Sequence, residues 1–308
     1  ERWGYHRYWL AEHHNMPGIA SAATAVLIGH VAGLTRTIRV GAGGIMLPNH
    51  APLAVAETFG TLATLYPGRI DLGLGRAPGG DGAVMQALGV HPSRSERFHD
   101  EVADLRDMFG PANPGRAVRA LPGEGTGVPL YILGSSLHGA QVAALLGLPY
   151  AFASHFAPAA LGQALEVYRR YYRPSDAHPE PYAMMAINVF AAETEEEARY
   201  IRTSQQQAFY RLRSNQPGKL PPPVEDLSSV VPSQWQAAVE DSLRVTAVGA
   251  AGQVADQIQG FVARYQPDEV ILTGNIQDHD ARLKAFEIAA QVMRDLEGSR
   301  GTAPAYAL

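Results

Sequence analysis

Two adjacent histidines in the segment WLAEHHNMPG, residues 9–18, are the first residues along the chain whose types suit catalysis. An imidazole exchanges protons near neutral pH, so a histidine at a strand end can serve as a general acid or base. Successive side chains of a strand point to opposite faces, which puts Trp9 with His13 and leaves His14 on the other face. The pattern therefore predicts that at most one of His13 and His14 faces a given site, unless each has a separate role. A histidine buried for packing is the alternative.

Histidine also recurs where later strands are expected to end. His50 lies in GGIMLPNHAP, His138 in LGSSLHG, His155 in ASHFAP and His279 in LTGNIQDHD. We expect His14, His50, His155 and Asn275 to line a substrate pocket. A divalent-metal hydrolase is the competing chemistry, although an adjacent His-His pair suits joint ligation less well than the His-x-His pairs of such enzymes.

Two glycine-containing segments suit phosphate binding. GLGRAPGG, residues 73–80, brings backbone amides and Arg76 to one turn, but it is neither a Rossmann fingerprint nor a P-loop. In YILGSSLHG, residues 131–139, an apolar strand stops at Gly134, and Ser135 and Ser136 open an amphipathic helix whose amino end attracts anions. Serine there can equally be a helix cap, because capping and phosphate binding use the same atoms.

Composition excludes several classes of function. The chain has 308 residues, of which 46% are hydrophobic and 18% charged, and its formal net charge is -5. Without a basic stripe it is not expected to bind nucleic acid, and without an apolar run of membrane-spanning length it is not expected in a membrane. It contains no cysteine, which removes disulfides and thiolate metal sites and fits the reducing cytoplasm, where we expect it.

Short β-rich runs alternate with helical patterns, which predicts parallel βα units. The predicted strands are residues 8–12, 38–46, 70–74, 130–133, 150–153, 183–192 and 269–273. The predicted helices are residues 20–34, 51–65, 93–109, 137–146, 158–172, 194–212, 254–265 and 280–296.

This alternation favours a (β/α)₈ barrel or an open doubly wound sheet. A closed barrel needs eight strands and only seven are predicted, so we expect one further βα unit ahead of Glu1. We predict a single domain over residues 1–308, with an insertion at residues 214–245 before the last strand. The proline-rich start of that insertion, residues 214–235, is a candidate lid.

Five segments together resemble the bacterial luciferase-like flavin-dependent monooxygenases, within them the single-chain luciferase-like oxidoreductases. They are WLAEHHNMPGIAS, IRVGAGGIMLPNHAPLAVAE, GRIDLGLGRAPGG, YILGSS and DEVILTGNIQDHDARLKAFEI. The resemblance implies a TIM barrel, usually dimeric, that binds reduced FMN or, in one branch, a deazaflavin across its carboxyl-terminal mouth. It implies oxygenation of a small organic substrate by O₂ through a flavin hydroperoxide, with FMN reduced by a separate reductase.

The resemblance also implies roles for particular residues. His13 matches the histidine that assists catalysis, while Arg76 and Ser135 match positions near the flavin phosphate. Together with Gly134 and Ser136, these form the expected phosphate site. A non-proline cis peptide is expected near Gly43 and Gly44, which we assign to cofactor binding. The alternatives are a deazaflavin-dependent hydride-transfer enzyme and a flavin-binding protein without catalysis.

Overall fold

The computed structural model describes residues 1–77 and 80–298, which form one parallel sheet flanked by helices. Strands β1 to β6 pair in chain order, and β6 then pairs with β8 through residues 184–188 and with β7 through residues 188–191. The strands are β1 (Arg7–Leu10), β2 (Arg39–Met46), β3 (Ile70–Gly75), β4 (Leu130–Gly134), β5 (Tyr150–Phe152), β6 (Ala183–Ala191), β7 (Thr246–Gly249) and β8 (Glu269–Thr273).

Helices cover the outer face of the sheet, as expected for parallel strands joined by helical crossovers. They are α1 (Thr24–Leu34), α2 (Pro52–Leu65), α3 (Gly82–Ala87), α4 (Phe98–Phe109), α5 (Leu137–Leu146), α6 (Leu161–Tyr171), α7 (Glu195–Arg213), α8 (Ser233–Ser242), α9 (Ala251–Tyr265) and α10 (His279–Gly298). None of these described helices is long and apolar enough to cross a lipid bilayer.

The sheet curls around an interior of its own. Side chains from β4, β5 and β6 form a buried cluster, and Trp9 of β1 and Ile271 of β8 pack against it. The rings of Trp9 and Tyr131 meet edge to face at 4.9 Å. Residues from the first and last strands thus share one core, which is the packing of a barrel.

Paired charges close the amino-terminal end of this interior. The Arg7 guanidinium donates from Nε to Glu269 Oε1 at 2.6 Å and from Nη1 to Asp71 Oδ2 at 2.7 Å. Arg39 also pairs with Asp71, and Tyr182 donates to Glu269. Because buried charges are stable only when paired, this network fixes the base and leaves the opposite end for a site.

The predicted α/β barrel is confirmed, but several boundaries differ. Strand β7 was not predicted, since its four small or β-branched residues give too short a signal, and helices α3 and α8 lie where no helix was predicted, α8 within the predicted insertion. β1 ends at Leu10 rather than at residue 12, because the backbone beyond it turns to bury Glu12. Residues 92–97 are a 3₁₀ segment ahead of α4, so that helix begins at Phe98 instead of residue 93.

Candidate active site

The carboxylate of Glu12 is the centre of the first group of polar residues at the mouth. It is buried, and it accepts hydrogen bonds from His14 Nε2 at 2.8 Å, His50 Nε2 at 2.9 Å and the Met46 amide at 2.9 Å. Burial raises the pKa of Glu12, but the bonds from His50 and His14 outweigh it and hold the pKa below its usual value. Glu12 is therefore an ionised hub joining the loops after β1 and β2.

The hydrogen bonds to Glu12 determine which ring nitrogen of His14 and of His50 carries a hydrogen. An ionised carboxylate only accepts, so the Nε2 atoms of His14 and His50 must carry hydrogens that are already bound to Glu12. His50 and Glu12 line a cavity of about 180 Å³ between the amino-terminal parts of α1 and α2. The predicted pocket residues His14 and His50 thus share the Glu12 carboxylate as a hydrogen-bond acceptor.

His13 is half-buried and follows Glu12 directly. The Glu12 and His14 side chains meet on one side, as the strand alternation predicts, while Trp9 lies in the barrel interior. Because β1 ends at Leu10, alternation alone does not fix the direction of His13. His13 lies near the start of the loop that follows β1.

Gly43 and Gly44 lie where β2 shifts register against β3, and the peptide bond between them is cis, as expected near these residues. A Cβ at Gly43 would lie 2.9 Å from Trp9 Cβ, and one at Gly44 would lie 2.7 Å from the Gly73 carbonyl oxygen. Glycine is thus required at both positions by neighbouring strands. Contact with a cofactor would come from their backbone.

A cationic rim follows β3 and β4. Arg76 is exposed immediately after β3, and His138 lies in the first turn of α5. Burial, and then the charges of Arg76 and His99, lower the pKa of His138. The three side chains therefore share one region of the mouth. Pro78 and Gly79 of the predicted GLGRAPGG segment lie outside the described residues.

The amino-terminal end of α5 opens into this rim. Ser136 is the helix cap, and no side-chain hydrogen bond among the described residues closes the cap. Tyr150 OH donates to the Ser136 carbonyl oxygen at 3.1 Å and holds the turn. Ser135 is half-buried beside it, and Gly134 ends β4. Free helix amides and two hydroxyls next to an arginine form a suitable donor set for a phosphate group.

The opposite side of the mouth is polar but uncharged. Asn188 of β6 donates from Nδ2 to the His155 carbonyl oxygen at 2.5 Å and accepts from Gln205 Nε2 at 2.9 Å. Gln205 Oε1 in turn accepts from the backbone amide of Asn275 at 3.0 Å. This amide chain joins the segments after β5 and β8 to β6 and α7, and it brings the predicted residues His155 and Asn275 to one wall.

The chain between α7 and α8 lies over the same side. Val224 donates its amide to Thr203 Oγ1 at 2.9 Å, and Gln207 Nε2 donates to the Pro222 carbonyl oxygen at 2.9 Å. A Cβ placed on Gly18 would lie 2.9 Å from the Gly218 carbonyl oxygen. The segment therefore touches both α7 and the loop that follows His13 and His14.

Sequence reasoning missed Glu12 as a hub and the whole contribution of α7. The run TSQQQ, residues 203–207, is buried although every residue in it is polar. In the sequence, the available signal was five consecutive uncharged polar residues inside a helix that is otherwise rich in charge. Of the proposed metal ligands, His50 binds Glu12 and His279 Nδ1 lies 2.6 Å from Arg282 Nη2. Within the described part of the chain, no group of three or more histidine or carboxylate side chains is placed to hold a metal ion.

These features define an α/β barrel whose carboxyl-terminal mouth carries Arg76 and the amino end of α5 on one side and the Asn188–Gln205 amide pair on the other. The family model described as luciferase-like monooxygenase matches residues 1–297, and the chain belongs to this family. It is an enzyme family, so the chain belongs to a group of oxidoreductases.

Relatives support this membership. A protein of Escherichia coli (strain K12) named luciferase-like monooxygenase is 51% identical over 299 residues, covering 97% of this chain and 89% of its own. The N-acetyl-S-alkylcysteine monooxygenase of Bacillus subtilis (strain 168) is 40% identical over 207 residues, covering 64% of this chain and 60% of its own. The crystal structure of apo-MsnO8 superposes with a TM-score of 0.83 at 32% identity, covering 95% of this chain and 89% of its own.

Two more distant structures share the fold alone and show which cofactors it accommodates. The oxygenating constituent of 3,6-diketocamphane monooxygenase from Pseudomonas putida, a Baeyer-Villiger enzyme in complex with FMN, has a TM-score of 0.67 at 15% identity and covers 94% of this chain and 88% of its own. An F420-dependent secondary alcohol dehydrogenase in complex with an F420-acetone adduct has a TM-score of 0.67 at 18% identity and covers 96% of this chain and 92% of its own. The fold thus holds a flavin or a deazaflavin.

Proposed function

We propose that this chain is a flavin-dependent monooxygenase that uses reduced FMN and O₂ to oxidise a small organic substrate. The observation that carries the proposal is the rim formed by Arg76, His138 and the uncapped amino end of α5. Arg76 and the hydroxyls of Ser135 and Ser136 would bind the phosphate of FMN, and the α5 amides would add their dipole. The bound flavin supplies the electrons for oxygen activation.

The remaining residues would serve the substrate side of the site. His13, at the start of the loop after β1, would hold or transfer a proton at the reacting centre. The backbone at Gly43 and Gly44 would support the flavin ring, and the segment between α7 and α8 would cover the mouth as a lid within the single domain. Covering the mouth excludes water while the reactive flavin state waits for substrate.

A reconstituted assay tests this function. The protein is mixed with FMN, NADH, oxygen and a separate flavin reductase, and a panel of thioethers and ketones is analysed by mass spectrometry. Thioethers are included because a relative is named for N-acetyl-S-alkylcysteines, and ketones because a structural neighbour is a Baeyer-Villiger enzyme. We expect at least one product that has gained a single oxygen atom. Hydrogen peroxide alone, at the rate given by reductase and FMN without the protein, would contradict the proposal.

Cofactor binding and turnover in the same assay distinguish two other functions from a monooxygenase. A deazaflavin-dependent hydride-transfer enzyme, suggested by the F420-bound neighbour, would bind F420 in preference to FMN and use no oxygen. A flavin-binding protein without catalysis would bind FMN and turn over none of the panel. We also place the protein in the cytoplasm, because its lack of cysteine suits a reducing compartment.

We further propose that two copies pair through α1 and α2. Helix α1, TAVLIGHVAGL, contains no Asp, Glu, Lys or Arg and is apolar around most of its circumference, which is typical of a buried helix. Nevertheless Val26 and Leu34 of α1 are 71% and 74% exposed, and Leu65 of the adjacent α2 is 63% exposed. A second copy would cover these side chains and the cavity that reaches Glu12 and His50.

A further inference from the structure

His155 differs from the other histidines of the mouth in its surroundings. It follows β5, its ring meets Phe156 edge to face at 4.8 Å, and its carbonyl oxygen is held by Asn188. Nδ1 is buried and has no hydrogen-bond partner among the residues that the structure describes. The residue is only partly buried, and Nε2, unlike Nδ1, is not a buried atom without a partner, so the accessible edge of the ring is the one that carries Nε2.

The buried nitrogen determines which tautomer is favoured. A buried N–H without an acceptor costs more free energy than a buried lone pair without a donor, so the hydrogen belongs on Nε2. Burial also lowers the pKa of His155 to about 4, and no neighbouring charge contributes to that change. At neutral pH the ring is therefore uncharged and presents one N–H donor at its accessible edge.

The residues that hold the His155 backbone are uncharged. The Asn188–Gln205 pair and Thr246 are neutral, and both amide hydrogens of Asn188 are already used, by His155 and Thr246. Phe156 is 46% exposed and offers an apolar surface beside the imidazole. No charge of the described residues acts on the His155 ring, so a carboxylate or an ammonium group would lose hydration here without gaining an opposite charge from them.

We infer that His155 donates its Nε2 hydrogen to a carbonyl or amide oxygen of an uncharged substrate group, whose apolar portion packs on Phe156. The inference rests on the proposed function only in that the mouth takes an organic substrate. It assigns the cofactor phosphate to the cationic rim and the neutral end of the substrate to the opposite wall. A substrate held in this way would have a fixed orientation relative to the cofactor.

Nitrogen-15 NMR of the full chain tests the tautomer directly. The ring signals of His155 are assigned by their loss in His155→Gln, and they are followed from pH 5.5 to pH 8. We expect a neutral ring with hydrogen on Nε2 throughout that range. Hydrogen on Nδ1, or titration above pH 5.5, would overturn the inference.

Binding of small probes tests the ligand class. Hexanamide is expected to shift the His155 Nε2 signal, whereas hexylammonium at the same concentration is not. His155→Phe, which keeps an aromatic ring but loses the donor, should weaken hexanamide binding about fivefold, and His155→Gln, which retains an N–H, should weaken it less than about twofold. His178→Phe is the matched control, because His178 is also half-buried but lies in the loop between α6 and β6, at the other end of the barrel.

The outcomes separate this inference from the proposed function. Equal binding of hexanamide by wild type and His155→Phe, or equal signal shifts with hexylammonium, would overturn the assignment of His155 whatever the cofactor. Neither measurement requires flavin or turnover. Failure of the oxygenation assay with a normal hexanamide response would instead count against the monooxygenase proposal alone.

Discussion

His50 Nε2 lies 2.9 Å from Oε1 of Glu12, a residue 38 positions earlier in the chain, and this bond joins the loop after β1 to the loop after β2. The same carboxylate accepts a hydrogen bond from His14, so Glu12 holds the Glu-His-His segment in place. His13, between the two bound residues, is thereby positioned by a rigid neighbour on each side.

Substitution Glu12→Gln should destabilise the protein. The amide would turn an N–H₂ group towards histidine nitrogens that already carry hydrogen, so about 2–3 kcal/mol of unfolding free energy should be lost at pH 7. Because the folded pKa of Glu12 is depressed, its stabilisation is complete above its ordinary pKa of 4.5 and is lost as pH falls through the folded value. The difference between variant and wild type should therefore shrink below pH 4.5.

Urea denaturation of both proteins at pH 7 and pH 4 measures this difference. Glu57→Gln is the matched control, since Glu57 lies exposed on α2. Equal differences from wild type at the two pH values would show that the charge of Glu12 is not what stabilises the loops.

Gln205→Leu should loosen the neutral wall at a defined atom. The Asn275 amide now donates to Gln205 Oε1, so its hydrogen exchange should become about tenfold faster when that acceptor is removed. Gln207→Leu, which removes only the bond to the Pro222 carbonyl, should leave Asn275 protected. Unchanged exchange at Asn275 in Gln205→Leu would mean that α7 does not hold the loop after β8.

Val26→Asp tests the proposed pairing of two copies. A carboxylate at the centre of an apolar interface is costly to bury, so the variant should sediment as a monomer where the wild type sediments as a dimer. Leu212→Asp, which also charges a half-exposed leucine but on α7, should remain dimeric. A monomeric wild type, or a dimeric Val26→Asp protein, would exclude α1 and α2 as the interface.

Replacing His13 separates catalysis from binding. His13→Ala should bind reduced FMN within a few-fold of wild type but lose most of its coupled product formation, by a factor of about 100 for the loss of general acid-base assistance. Product yield per oxygen consumed is the quantity to measure. Normal coupling would assign His13 to packing.

The βα alternation predicted a parallel α/β fold, because it is a long-range pattern that local errors do not disturb. The choice of a barrel over an open sheet came from the resemblance to luciferase-like enzymes. Helix α5 was placed at its observed bounds, since an apolar strand, a serine cap and an amphipathic run mark it in sequence. The role of Glu12 could not be predicted, because it depends on His50 arriving from another strand. The same applies to Gln205, whose partners on β6 and after β8 are brought together only by folding.

Binding of the cofactor is the most direct test of the proposal that this protein uses reduced FMN and binds its phosphate through Arg76. Reduced FMN, reduced riboflavin and reduced F420 are titrated under argon into wild type and Arg76→Ala, and binding is measured by calorimetry. We predict that wild type prefers reduced FMN, and that Arg76→Ala loses at least about tenfold in FMN affinity but little for riboflavin, which has no phosphate. A preference for F420, absence of flavin binding, or equal losses for FMN and riboflavin would contradict it.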